Sequence, residues 1–132
     1  MKFSYKKIGA RILRPVIPIE FLYNEEVVRY EVLVDSGADC NILPAEIGEL
    51  LGIDVETGRK SNVGGITGGG MPFFLHTVTM RVGGWSYEVP VGFMPSMPAL
   101  GYGVVGQHGF FDLFRVIFDN RCGEIELKPY RG

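Results

Sequence analysis

The chain has 132 residues, with 13 Lys and Arg against 15 Asp and Glu, for a formal net charge of −2. That length holds one ordinary core and not two, so a single domain over residues 1–132 is expected. No Lys/Arg run exceeds two residues, which excludes a phosphate-tracking nucleic-acid surface, and 46% apolar against 21% charged residues excludes a disordered chain. No apolar run approaches a membrane span, and residues 1–15 hold no continuous apolar segment of a signal peptide, so a cytoplasmic protein without membrane partners is expected. Cys40 and Cys122 are far apart and lack C-x-x-C spacing, which suits two reduced thiols and neither a disulfide framework nor a zinc site.

Nineteen Gly and eight Pro interrupt the chain too often for long helices and favour short strands joined by tight turns. Val16 to Tyr23 and Val27 to Val34 are rich in β-branched and aromatic residues, and Asn24-Glu25-Glu26 between them reads as a hairpin turn. In the second run Arg29 and Glu31 alternate with Tyr30, Val32 and Val34, giving a wet and a buried face; Leu33 breaks the alternation where the strand enters the core.

Pro44 to Leu51 is the clearest helix, with Pro in the first turn, Ile47, Leu50 and Leu51 at helical spacing, and Gly52 as the stop. Gly64 to Gly70 carries five glycines in seven residues, which cannot pack a core and form the tip of a long hairpin. Phe73 to Val82 and Trp85 to Val91 read as strands joined by Gly83-Gly84. After Gly106, Phe110, Phe111 and Phe114 put aromatics on one side of a short predicted helix, and Val116–Phe118 with Glu124–Leu127 form a last hairpin.

The strongest chemical signal is Asp35-Ser36-Gly37-Ala38-Asp39 at the exit of an apolar strand. A carboxylate entering a buried turn must find donors or change its protonation, and the backbone N–H groups of a Gly turn lie within reach of Asp35. An Asx-turn that merely caps the strand reads equally well from these five residues alone.

The wider order of features breaks that tie. The chain resembles the retropepsin-like aspartic proteases, whose half-site motif is Asp-Thr/Ser-Gly-Ala, from about Val16 to Leu127. It has two strands leading to Asp35-Ser36-Gly37-Ala38-Asp39, Val63-Gly64-Gly65-Ile66 at a flap tip, and Val104-Val105-Gly106 before the Phe110–Phe114 segment. The resemblance implies a mainly β fold, a closed barrel with a flap hairpin and one or two short helices. It also implies a cofactor-free, metal-free aspartic endopeptidase acting on a peptide or protein substrate. Asp35, Ser36 and Gly37 would form the catalytic loop, and Gly37, Ala38, Asp39, Gly64, Gly65 and Ile66 would contact substrate; Val105 is assigned to a pocket wall, with core packing as its alternative. The chain holds no second Asp-Ser/Thr-Gly, so the two carboxylates such chemistry needs would come from a homodimer. One departure is Gln107, where many viral members carry an Arg that braces the active-site loop and dimer. The other is the longer tail from Arg115 to Gly132, whose hairpin is expected to replace the viral dimer sheet.

Gly101-Tyr-Gly-Val-Val-Gly106 matches G-x-G-x-x-G, but prolines crowd its approach and Val104-Val105 reads as strand, against a dinucleotide site; Gly64 to Gly70 lacks the Lys-Ser/Thr of a P-loop. His76 and His108 lack ligand spacing, and Trp85 and the phenylalanines lack the interleaved basic residues of a stacking platform. The alternative function is a catalytically weak or inactive dimerisation or peptide-binding module of the same fold.

Overall fold

The computed structural model describes residues 1–63, 70–97 and 101–130. In chain order the strands are β1 (Lys2–Ser4), β2 (Lys6–Gly9), β3 (Ile12–Arg14), β4 (Val16–Tyr23), β5 (Glu26–Val34) and β6 (Asn41–Pro44). Helix α1 (Ala45–Leu50) follows, then β7 (Arg59–Val63), β8 (Met71–Val82), β9 (Trp85–Met94), β10 (Gly103–Val105), β11 (Phe114–Asp119) and β12 (Glu124–Pro129).

Six strands close into a barrel in the order β4-β5-β10-β6-β9-β8. The seam is closed by Glu20, Phe21 and Leu22 of β4 pairing with Arg81, Met80 and Thr79 of β8. Closure leaves the barrel strands no free edge and gives each an inner face, and the alternation in β5 delivers Val32 and Val34 to the interior as expected. Ile17, Ile19, Phe21, Leu43, Met80, Val91, Phe93 and Val105 meet them there. The β4–β5 turn has Asn24 in the left-handed region at φ 52°, and Gly83 and Gly84 turn β8 into β9 with φ of 54° and 87°. A two-residue loop with both φ positive matches the right-handed twist of its strands, so this pair favours glycine.

Helix α1 is six residues long, with Pro44 at its N-terminal boundary and Gly52 beyond its end at φ 80°. Ile47 and Leu51 share the buried side, whereas Leu50 is 62% exposed and does not join the apolar face expected of it. Four residues bring a side chain back to the same stripe, and Leu50 instead lies in register with the exposed Glu46. The second short helix is a 3-10 turn over Val55–Thr57. No helix forms after Gly106: residues 107–113 make successive turns, and Phe114 already belongs to β11. Gly109 at φ 98° breaks helical geometry; the Phe111 and Asp112 N–H groups make wide bonds to the Gly106 and Gln107 carbonyls, and the lone i→i−4 bond, from the Phe114 N–H to the Phe110 carbonyl, does not extend into a helix. The aromatic spacing there serves packing, with Phe110 and Phe114 fully buried and their rings 5.2 Å apart.

The expected last hairpin is β11–β12, and β1 adds to its far side, giving the sheet order β1-β12-β11. The Met1 ammonium donates to the Leu127 carbonyl and the Leu127 N–H to the Met1 carbonyl. The short β2–β3 hairpin stands as a separate two-stranded sheet.

Candidate active site

Asp35 sits one residue beyond β5. Its own N–H donates to the Val105 carbonyl at 3.0 Å, continuing the parallel β5–β10 ladder, so the turn begins at a residue whose backbone is still held by the sheet. The carboxylate then curls over the turn: Oδ1 accepts the Gly37 N–H at 2.9 Å, and the Ala38 N–H donates to the Asp35 carbonyl at 3.1 Å. This is the Asx geometry read from the residues, and it leaves Asp35 half-buried while Ser36 and Gly37 face outward.

The loop interlocks with the end of β10. Gln107 N–H donates to the Ala38 carbonyl and His108 N–H to the Asp39 carbonyl, each at 2.9 Å. Gly106 lies so close beneath Ala38 that a Cβ at 106 would collide with the Ala38 carbonyl oxygen, so the glycine is set by packing. Gly103 is likewise confined by Leu43, and Gly103–Val105 form a strand. In the G-x-G-x-x-G pattern the second and third glycines are thus set by packing, and the first, Gly101, by its φ of 78°.

Two residues tie the interlock together that composition and spacing did not single out for this role. Asn41 is fully buried; its Oδ1 accepts the Gly106 N–H at 3.1 Å, and its Nδ2 donates to the carbonyls of Gly109 at 3.2 Å and Pro90 at 3.4 Å. A buried amide with both ends satisfied joins the start of β6 to both sides of Gln107. Gln107 itself donates from Nε2 to the Ser36 carbonyl at 2.7 Å, so an uncharged side chain braces the loop at the place where Arg was expected to be missed. A polar residue directly after Val104-Val105-Gly106 was the available signal.

The other singled-out positions fall as follows. Ala38 is half-buried and Asp39 exposed. Val105 is fully buried in the main core, whereas its neighbour Val104, on the opposite face of β10 and paired with Leu33 and Ile42, is only half-buried. Gly64, Gly65 and Ile66 lie outside the described residues. The stem of their hairpin is β7 paired with β8 from Arg59↔Leu75 to Val63↔Met71. Phe73 of that stem packs with Ile42 and Met94 in a second apolar cluster that Cys40 and Leu75 flank, linking the hairpin base to the segment after Asp39. Burial, and secondarily the Asp39 charge, push the Cys40 thiol up, so it stays protonated.

His76 Nε2 is 2.8 Å from the Val55 carbonyl, and His108 is exposed beside Asp112. Among the described residues no three His, Cys, Asp or Glu side chains gather in a way that could hold a metal ion. Both cysteines are free, and no helix there is long and apolar enough to cross a membrane.

A closed six-strand barrel whose strand β5 leads into an Asp-Ser-Gly turn, with β7 paired along β8, defines the retropepsin-like class. Solved structures share it, two aspartic proteases among them. A retropepsin-like aspartic protease from Rickettsia conorii superposes with a TM-score of 0.66 at 16% identity, over 95% of each chain. The protease of EIAV, complexed with the inhibitor HBY-793, does so with a TM-score of 0.52 at 25% identity, over 70% of this chain and 81% of that one. The family model described as aspartyl protease matches residues 19–108, and the chain belongs to that family. Among curated protein sequences none matches it.

Proposed function

We propose that this chain is a homodimeric, cofactor-free aspartic endopeptidase in which Asp35 of each copy flanks one water. The observation that supports it most directly is the Asp35 turn: a carboxylate with one oxygen held by the Gly37 N–H, at the rim of a closed barrel, in a loop braced by Gln107 and by Asn41 beneath it.

Peptide hydrolysis without a covalent intermediate needs one carboxylate to take a proton from water while another, protonated, polarises the scissile carbonyl. One Asp cannot do both at once. Two carboxylates about 3 Å apart repel by about 5 kcal/mol at an effective dielectric of about 20, enough to keep one proton shared between them. A two-fold axis beside Asp35 supplies the second, with the outward-facing Ser36 and Gly37 of each copy meeting there. Gly37 and Asp39 then offer backbone groups to an extended substrate, with Ala38, whose N–H and carbonyl are bonded within the loop, in contact beside them. The hairpin of β7 and β8 covers the substrate, and the resemblance assigns Gly64, Gly65 and Ile66 to the same substrate contact.

Asp35→Asn tests the reading. It keeps the Gly37 N–H acceptor and the loop but removes the ionisable group, so cleavage of a peptide library should vanish while the unfolding midpoint stays. Cleavage at the wild-type rate overturns the proposal. Tight binding of a hydroxyl-bearing statine-type mimic by a protein that cuts nothing assigns it instead to the peptide-binding module of the same fold.

A further inference from the structure

The segment 6–14, made of β2, β3 and their turn, differs in character from the rest of the molecule. It carries Lys6, Lys7, Arg11 and Arg14 and no acid, so the remaining residues hold 9 basic against 15 acidic side chains. A strongly cationic arm is thus joined to an anionic body. Ile8, Ile12 and Leu13 are 39%, 41% and 49% exposed. A two-stranded hairpin standing alone in water is marginal, and β2–β3 belongs to neither larger sheet. Its ties to the body are sparse and lie at its base, where Lys6 pairs with Glu31 and the preceding Tyr5 N–H donates to the Gly123 carbonyl.

The arm's position matters as much as its composition. Pro15, directly after it, accepts the Val34 N–H at 2.9 Å, so the arm leaves the barrel alongside the residue that precedes Asp35. Any axis that brings two Asp35 turns together therefore brings both arms near the other copy. The Asp35–Asp39 loops alone are too small for a stable contact, which takes about 800 Å² per partner. The chain's accessible surface, 7891 Å², exceeds by roughly 1,000 Å² that of a compact monomer of this mass.

We propose that the β2–β3 arm is a clasp that lies on the body of a second copy of this chain, its aliphatic side chains covered there and its Lys7, Arg11 and Arg14 facing the anionic surface. The inference rests on the homodimer reading above and adds the surface that holds the dimer. Two-fold symmetry makes the contact twice, arm to body in each direction.

The test is sedimentation equilibrium of the full chain, with peptide cleavage followed over the same concentrations. Ile8→Asp with Ile12→Asp removes the apolar contact, and Lys7→Glu with Arg11→Glu reverses exposed charges without touching the core. Each pair should weaken the dimer at least about tenfold and lower cleavage per chain in dilute solution. Activity should recover at high concentration, and the unfolding transition of the charge-reversed protein should match that of wild type when both are compared at dilutions where each is monomeric. Raising the salt to about 0.5 M should weaken the wild-type dimer more than the charge-reversed one. A dimer constant within twofold of wild type for both pairs overturns the clasp and leaves the protease reading standing. Arm-dependent co-sedimentation with phosphatidylglycerol vesicles at an unchanged dimer constant also overturns it and assigns the arm to anionic lipid. A wild-type chain that cleaves as a monomer at every concentration removes the shared site itself, a failure distinguishable from the clasp's.

Discussion

Gln107 Nε2 and the Ser36 carbonyl oxygen are 2.7 Å apart although 71 positions separate the residues in the chain. The bond holds the outward turn of the Asp35 loop from below and does so without charge. An exposed neutral hydrogen bond contributes about 1 kcal/mol, so Gln107→Leu should lower kcat about fivefold with little change in KM. Gln107→Glu separates positioning from bulk: protonated, the carboxyl still donates to Ser36, and ionised, it repels the carbonyl. Its activity should therefore fall at a lower pH than that of wild type. Identical pH profiles for the two proteins would remove Gln107 from the loop's support.

Asn41 carries the larger share of the loop's stability. Its truncation in Asn41→Ala strands the Gly106 N–H and the Gly109 carbonyl in a buried place and frees the part-buried Pro90 carbonyl, and should cost about 2–4 kcal/mol by urea denaturation. Asn41→Asp sets a carboxylate against the Gly109 and Pro90 carbonyls. The folded state then resists ionisation that the unfolded chain accepts readily, so this variant should gain more stability than wild type as pH falls from neutral towards 5.

Gly106→Ala should damage both fold and activity, because the new methyl meets the backbone carbonyl of Ala38 and not a flexible side chain. Overpacking of this kind costs about 1–3 kcal/mol, read as a lowered unfolding midpoint. Gly84→Ala is the contrast: its Cβ meets open space, and the cost there comes only from the positive φ.

Alkaline stability follows from three tyrosines and two thiols. Burial raises Tyr5, Tyr30 and Tyr87 above the ordinary tyrosine value and Cys40 above that of a thiol; Asp119, Glu46 and Asp39 add smaller pushes on Tyr5, Tyr30 and Cys40 respectively. The hydrogen bond with Asp119 pushes the exposed Cys122 thiol up as well. Below about pH 7 all five are protonated in folded and unfolded chains alike and contribute no pH dependence. Above it the unfolded chain loses protons first, the thiols before the tyrosines, so the free energy of unfolding should fall steadily from about pH 8 upward. Urea midpoints between pH 8 and 11 measure this. Cys40→Ser should flatten the early part of the fall, and iodoacetamide should modify Cys40 in the folded protein more slowly than a free thiol at pH 8.5.

The fold was legible where residue chemistry is local. Alternation in Val27–Val34, the Asn24 turn, the Gly83-Gly84 turn and Pro44 before a two-turn helix each depend on neighbours within a few positions. The Phe110–Phe114 spacing misled because aromatics at 110 and 114 fit one side of a helix and also the successive turns that Gly109 imposes. Leu50 misled through register, since three residues and four residues are both helical spacings and only one met the core. The residues before Val16 gave no clear pattern because their partners are remote: β1 finds its place on β12 at the far end of the sequence. At the candidate site, Asp35-Ser36-Gly37 was visible as a string. Asn41 was not, because a buried amide and a surface amide look alike until Gly106, Gly109 and Pro90 surround it.

The parallel run of β5 beside β10 has a bearing on biosynthesis. Leu33 and Val104 are register partners, so the turn at Asp35 has nothing to lean on until the ribosome has released the chain beyond Gly109 and the barrel has shut around it. Contacts spanning some seventy positions form late in folding. A half-made chain therefore carries its acidic residue on an unshaped loop, and under the protease reading proposed above an unfinished copy would have no means of attacking its neighbours on the same messenger.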